Sequence, residues 1–293
     1  MPEPAVHLVA RLVRESLQED LGPGDVTCRA LLAPGTRARG VITAGEPLIP
    51  AGLQAARLAF LTLDPACAFS RQCVEGAALP AGAVLLEVVG EASAILSAER
   101  TALNFLGRLS GIATLTRLCV DAVAGTKAEI FDTRKTTPGL RLLERRAVEL
   151  GGGRNHRSGL FDMVLIKDNH VAMAGGVGAA VRAAVASLAR TPPAARPPIE
   201  VEIDDPAALE EAIEAGAGLV LLDNMTPDEV AAAVLRARGR VKLEASGGIT
   251  LEVIRRYAET GVDRISLGAL THSAPGANVG LSLHPAPIDP GAS

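Results

Sequence analysis

Aromatic side chains are scarce in this chain of 293 residues: no Trp, one Tyr and five Phe, 2% in all. A surface that stacks successive bases of a single-stranded nucleic acid needs more rings than that. Lysine is scarce too, with Lys127, Lys135, Lys167 and Lys242 against 25 arginines. The formal net charge of −4 lacks the basic excess of a nucleic-acid binder. No apolar run reaches the roughly 18 residues that a membrane-spanning helix needs. Met1–Ala10 has no basic stretch followed by an apolar one, the pattern of a signal peptide. The expectation is a cytoplasmic protein with neither a membrane nor a nucleic-acid partner. Cys28, Cys67, Cys73 and Cys119 form no CxxC pair and have no His at zinc-finger spacing. They read as small buried hydrophobes rather than a disulfide framework. No GxxxxGK[ST] loop occurs, which excludes a P-loop kinase or ATPase.

What is present suits a sizeable core, with 48% apolar and 21% charged residues. Leu8, Val9, Leu12, Val13 and Leu17 recur at helical spacing and predict an amphipathic helix ending before Gly22-Pro23-Gly24. Between 26 and 97 the runs Gly40–Ala44, Val84–Val89 and Glu91–Leu96 predict strands, with a helix near 52–62. Residues 97–122 predict a long bridging helix, with Gly111 as the point where it would break. After residue 126, apolar runs at 129–132, 163–166, 199–203, 219–222, 241–245 and 264–267 each precede a helical stretch. Such βα units build a parallel sheet, either a closed or nearly closed barrel or an open doubly wound sheet. The prolines of 191–198 predict a surface loop. The tail from 282 predicts a loop or strand returning to the first domain.

The apolar runs end in FDTRKTTPG, IKDNH, VEIDD, LLDNM, EASGGIT and SLGALTHS. Active sites gather at the carboxyl ends of parallel strands, and here nearly every strand end carries a functional group. One set is cationic: Arg134, Lys135, Arg157 and Lys167, with His156 nearby. It implies an anionic ligand, since Arg matches carboxylate or phosphate with a planar fork and Lys acts as a point charge. Arg141, Arg145 and Arg146 read instead as the solvated face of a helix after Pro138. The other set is acidic or small: Glu202, Asp223 and Asn224, then Ser246-Gly247-Gly248 and Gly268. Neighbouring carboxylates suit Mg²⁺ or sugar hydroxyls, and a Ser-Gly-Gly turn before a helix suits a phosphate. Asp204-Asp205 lacks the glycine-threonine loop of the common phosphoribosyltransferase diphosphate motif, and Asp205 reads as an N-cap. Gly151-Gly152-Gly153 reads as a helix stop. His7 and His284 have no motif around them.

Phe131–Gly139, Asn155–Leu160 and Leu165–His170 resemble the quinolinate phosphoribosyltransferase (nicotinate-nucleotide pyrophosphorylase) family. Glu99–Asn104, Glu200–Glu202, Leu222–Asn224, Glu244–Ile249 and Ser266–Gly268 extend the resemblance over nearly the whole chain. It implies phosphoribosyl transfer from phosphoribosyl pyrophosphate (PRPP) to quinolinate with decarboxylation, using Mg²⁺, in de novo NAD synthesis. It implies an α/β fold in which an N-terminal sandwich (1–108 plus 270–293) packs on an incomplete parallel α/β barrel (109–269). It also implies a homodimer or higher oligomer with shared active sites. Quinolinate would meet Arg134, His156, Arg157, Lys167 and, from the neighbouring subunit, Arg100. PRPP would meet Lys135, Lys167, Glu202, Asp223, Ser246, Gly247, Gly248 and Gly268. Mg²⁺ would lie at Glu202 and Asp223, partly through water. Three rivals remain: a nicotinate-specific relative, a Schiff-base aldolase using Lys167, and a non-catalytic ligand-binding barrel. The first needs fewer cations, the second a lysine in an apolar pocket, and the third would bind ligand without turnover.

Overall fold

The computed structural model describes residues 3–286. In chain order the strands are β1 (Arg37–Ala44), β2 (Ala68–Gln72), β3 (Val84–Glu91), β4 (Glu129–Phe131), β5 (Val164–Ile166), β6 (Ile199–Ile203), β7 (Leu219–Asp223), β8 (Lys242–Ser246), β9 (Arg264–Ser266) and β10 (Val279–Pro285). The helices are α1 (Glu3–Leu21), α2 (Val26–Leu31), α3 (Leu53–Leu63), α4 (Ala92–Ala122), α5 (Arg141–Leu150), α6 (Asp168–Ala174), α7 (Val177–Leu188), α8 (Leu209–Glu214), α9 (Pro227–Ala237), α10 (Ile254–Glu259) and α11 (Ala269–His272). Among the described residues no single helix is long and apolar enough to cross a membrane.

Two compact units emerge. The first comprises the chain up to Arg117, Thr137–Gly152 and the chain from Ala274; the second comprises Leu118–Thr136 and Gly153–Ser273. The family resemblance divides the chain at 108/109 and 269/270 instead. The return of Thr137–Gly152 to the first unit has a visible cause. Glu144 on α5 is fully buried and accepts hydrogen bonds from Arg108 Nη2 (2.9 Å), Thr137 Oγ1 (2.7 Å) and the Thr137 N–H (3.0 Å). Arg108 also donates to Ala274 O at 3.1 Å, so one guanidinium on α4 gathers three separate stretches of chain.

In the first unit an antiparallel sheet runs β10-β1-β3-β2. Alternation along β1 turns Ala38, Gly40, Ile42 and Ala44 inward. The tail returns as expected, with β10 pairing β1 from Ala38↔Pro285 to Ala44↔Val279. Glu91–Leu96 is not a strand: β3 ends at Glu91 and α4 starts at Ala92. Burial of Ile95, Ala98, Ala102, Leu106 and Leu109 follows the helical period, which a six-residue window cannot distinguish from a buried strand. Nor does α4 break at Gly111. A Cβ there would collide with the Pro275 carbonyl, so the glycine permits a close backbone approach. Cys28, Cys67 and Cys119 are buried and Cys73 is half-buried; burial pushes the Cys119 thiol up to about 11.

The second unit holds a parallel sheet in the order β4-β9-β8-β7-β6-β5. Its first and last strands do not pair with each other, so the barrel is incomplete. Arg154 extends the β4 edge through a parallel bridge to Phe131. Asp205 accepts the Ala207 N–H at 2.8 Å and caps a short 3-10 turn. The single tyrosine, Tyr257 on α10, donates its hydroxyl to Met225 O at 3.0 Å.

Candidate active site

The strand ends of the parallel sheet surround a cavity of about 380 Å³. Arg134 and Lys135 enter it after β4, His156 and Arg157 after the Arg154 bridge, Lys167 after β5, Glu202 from β6, Asp223 from β7 and Ser246 from β8. Eight of the residues proposed from sequence therefore converge in one mouth. Arg100 lies elsewhere, lining a cavity of about 410 Å³ in the first unit with Glu19, Asp20, Asn104 and Arg108. That cavity lacks the convergence of strand ends.

Strand register sets two levels. Glu202 pairs with Leu221, and Asp223 with Ser246, so the functional groups stand at the last turns of adjacent strands. Two residues deeper, alternation returns the chain to the same face with Glu200 on β6 and Glu244 on β8, a step of about 6.6 Å at 3.3 Å per residue. Glu200 and Glu244 are both fully buried. His156 Nε2 reaches Glu200 Oε2 at 3.0 Å and Glu244 Oε1 at 3.4 Å. Burial opposes charge on His156, but the two carboxylates outweigh it and hold the imidazole up to about 9. Burial also raises the Glu200 carboxyl. With Nδ1 accepting the Arg157 N–H, the ring carries its own proton on Nε2, so the further proton that the two shifts keep in the cluster lies with Glu200. Neither Glu200 nor Glu244 was singled out from the sequence. The available signal was the two-residue spacing from Glu202 and from Ser246.

The His156 N–H donates to Asp132 Oδ1 at 2.6 Å, and Asp132 is fully buried. Arg157 follows directly; burial lowers its pKa, and the nearby Arg134 lowers it further. Two guanidiniums this close favour an anion between them. Asp162 accepts the N–H groups of Ser158 (2.6 Å) and Gly159 (3.2 Å), which fixes the loop beyond Arg157.

Lys167 forms an ion pair with Glu202. Its side chain is 44% exposed, so it lacks the apolar burial a Schiff-base nucleophile needs. Asn224 adopts a left-handed conformation (φ 56°) and donates Nδ2 to Asp223 Oδ2 at 2.7 Å. Its N–H donates to Ser246 O at 2.9 Å, tying the β7 and β8 ends together. Gly247 (φ +92°) packs against Asn224, where a Cβ would lie 2.8 Å from the backbone nitrogen. Helix α10 begins only at Ile254, so the Ser246-Gly247-Gly248 turn offers a glycine cradle rather than a helix N-terminus. Gly268 lies under Lys135, whose Cδ would be 3.0 Å from an added Cβ. Thr271 Oγ1 donates to Lys135 O at 2.8 Å and holds that segment in place.

The carboxylates of Glu202 and Asp223 also face a smaller recess with Asp168 and Asp204. Hard oxygen donors on adjacent strand ends fit a Mg²⁺ ion that retains several waters.

Comparison with known proteins agrees with this architecture. The model of the quinolinate phosphoribosyl transferase N-terminal domain matches residues 25–110, and that of its C-terminal domain matches residues 112–282. A nicotinate-nucleotide pyrophosphorylase [carboxylating] of Mycobacterium leprae is 45% identical over 280 residues, covering 92% of this chain and 95% of that protein. A probable nicotinate-nucleotide pyrophosphorylase of Bacillus subtilis is 40% identical over 273 residues, covering 93% and 92%. The solved nicotinate-nucleotide pyrophosphorylase of Francisella tularensis superposes with a TM-score of 0.89 at 39% identity, covering 95% of this chain and 97% of that one. With the strand-end geometry, these matches show that the chain belongs to the quinolinate phosphoribosyltransferase family.

Proposed function

We propose that the protein transfers the phosphoribosyl group of PRPP to quinolinate and releases pyrophosphate and CO₂, leaving nicotinate mononucleotide, a step of de novo NAD synthesis. The observation that carries this reading is the meeting of Arg134, Lys135, Arg157 and Lys167 with Glu202 and Asp223 in one mouth. Quinolinate is a pyridine bearing two adjacent carboxylates. Arg134 and Arg157 supply two planar forks for them. PRPP adds a 5′-phosphate, which the Ser246-Gly247-Gly248 turn and Gly268 would cradle, and a pyrophosphate, which Lys135 and Lys167 would face.

As the bond from C1′ to pyrophosphate breaks, positive charge grows on the ribose ring and negative charge on the leaving group. Lys135 and Lys167 lie where they stabilise that negative charge. Glu202 and Asp223 hold the ribose hydroxyls and would ligate Mg²⁺. When bound, Mg²⁺ adds charge neutralisation at the pyrophosphate oxygens. The pyridine nitrogen attacks C1′ with its lone pair and carries no proton, so the glycosyl step requires no general base. The positive ring nitrogen then stabilises the electron pair left on the neighbouring carbon as its carboxylate departs as CO₂, and that carbon takes a proton from water to give the product. The Lys167–Glu202 pair sets the charge for the pyrophosphate beside the charge for the ribose.

The reading includes a cytoplasmic homodimer, or a higher oligomer, in which Arg100 reaches the neighbour's quinolinate. Arg100 lies outside the strand-end cavity of the second unit. The test is CO₂ release from carboxyl-labelled quinolinate, with and without PRPP, Mg²⁺ and a chelator, and with nicotinate alongside. PRPP-dependent release that the chelator stops and Mg²⁺ restores supports the reading. Turnover of nicotinate instead would sink the diacid assignment, and binding without turnover would make the protein a sensor. Mixing inactive Arg100→Ala and Lys135→Ala chains recovers activity only if sites are shared.

A further inference from the structure

Beneath the cationic mouth lies a polar cluster that the proposed reaction does not use. Glu200 and Glu244 have no solvent exposure; the His156 ring lies 3.0 Å from Glu200 Oε2 and 3.4 Å from Glu244 Oε1, and Arg264 Nη1 lies 3.9 Å from Glu244 Oε2. Burying two carboxylates is costly, and apolar residues of similar size would fill a barrel interior more cheaply. Leu165 and Leu221 line the same cavity from the strands that flank β6. The two glutamates therefore call for an account in terms of what they hold.

What they hold is the ring of His156. Its Nε2 is directed at the two carboxylates, and its Nδ1 accepts the Arg157 N–H at 2.7 Å. Both ring nitrogens thus engage the protein, and the side chain is 6% exposed. The His156 N–H is anchored in turn on buried Asp132 at 2.6 Å. The ring acts as a strut from the barrel interior to the backbone of Arg157. Rotating it would release the Arg157 N–H and shift the guanidinium at the mouth.

We propose that Glu200 and Glu244 are positioning residues that lock the His156 ring, and that His156 fixes Arg157 through its backbone rather than touching the diacid itself. This refines the site described above and rests on the reading that Arg157 binds a quinolinate carboxylate.

The test uses Glu200→Gln, Glu244→Gln, His156→Asn and His156→Gln. Asn keeps an acceptor near the Nδ1 position, whereas Gln keeps only the reach toward the glutamates. Each glutamate variant should raise the KM for quinolinate about tenfold, the cost of a disturbed buried hydrogen bond. The KM for PRPP should stay within about twofold. Glu244→Gln should add almost nothing in a His156→Asn background, because the two act in series. His156→Asn should retain more quinolinate affinity than His156→Gln.

Additive losses would indicate direct contact between His156 and the diacid, and would overturn the proposal. Equal losses toward both substrates, with a lowered melting temperature, would do the same by assigning the glutamates to general support. The three ligand atoms also lie within 4.8 Å of one another, a spacing that could hold a metal ion. A tightly bound transition metal lost in Glu244→Gln would replace the proposal with a metal site. Hydrogen exchange of the Arg157 amide needs no substrate, so it separates this proposal from the assigned reaction. The amide should exchange slowly in the parent protein and His156→Asn, and faster in His156→Gln and Glu244→Gln. Unchanged exchange would overturn the proposal even if quinolinate is the substrate.

Discussion

Glu200 and Glu202 stand two residues apart on β6, yet Glu200 pairs with buried His156 while Glu202 pairs with Lys167 at the mouth. One strand thereby serves two levels of the site, a buried polar floor and a reactive rim. The alternation of a β-strand suffices to separate the levels without an extra loop.

The glycine turn after β8 gives a steric prediction. Gly247 and Gly82 both have positive φ, but only Gly247 has a neighbour, Asn224, in the path of a Cβ. Gly247→Ala should raise the KM for PRPP at least about tenfold by displacing Asn224 and, with it, Asp223. Gly82→Ala should cost about 1 kcal/mol of stability and leave turnover intact. Steady-state kinetics beside a melting curve decides it, and equal behaviour of the two variants would refute the steric argument.

A second prediction concerns acid. Asp25 caps α2, accepting the Thr27 and Cys28 N–H groups and the Ser97 hydroxyl. Its hydrogen bonds, those from Cys28 foremost, lower its pKa from 3.8 to about 2. A depressed carboxylate stabilises the fold above its unfolded value and ceases to do so as pH falls through the folded one. Asp25→Ala should therefore melt earlier than the parent above pH 3.8, and the gap should close as pH falls to about 2. A gap that persists undiminished at the acid end contradicts this.

A third concerns the Arg108–Glu144 pair. Glu144→Ala leaves Arg108 and the Thr137 groups without their shared acceptor, and should destabilise the protein by about 3 kcal/mol or more. Glu144→Gln keeps the shape and part of the hydrogen bonding, and should lose less. Urea unfolding of both variants measures the difference; a Glu144→Ala loss under about 0.5 kcal/mol, the range of an ordinary surface change, would show that the pair holds little.

Much of the second unit was legible because its signals are local. Each apolar run ends in the group that lines the cavity, as with Ile166 before Lys167 or Leu222 before Asp223. The buried acids were not legible for the opposite reason. Glu144 sits among arginines on α5 and looks like a solvent-facing residue, and its buried carboxylate is explained by Arg108, 36 positions earlier, together with Thr137. His156, Glu200 and Glu244 meet across three separate stretches of chain. The strand expected at Glu91–Leu96 failed because the first turn of a buried helix presents the same apolar string as a strand.

The hydroxyl of Tyr257 rests on the carbonyl of Met225, two positions beyond Asp223. With no Trp in the chain, this one ring is the sole tyrosine emitter. Excitation near 275 nm addresses a single known location beside the β7 end. The molecule carries its own optical label there, and titrations of that region can be followed with no dye attached.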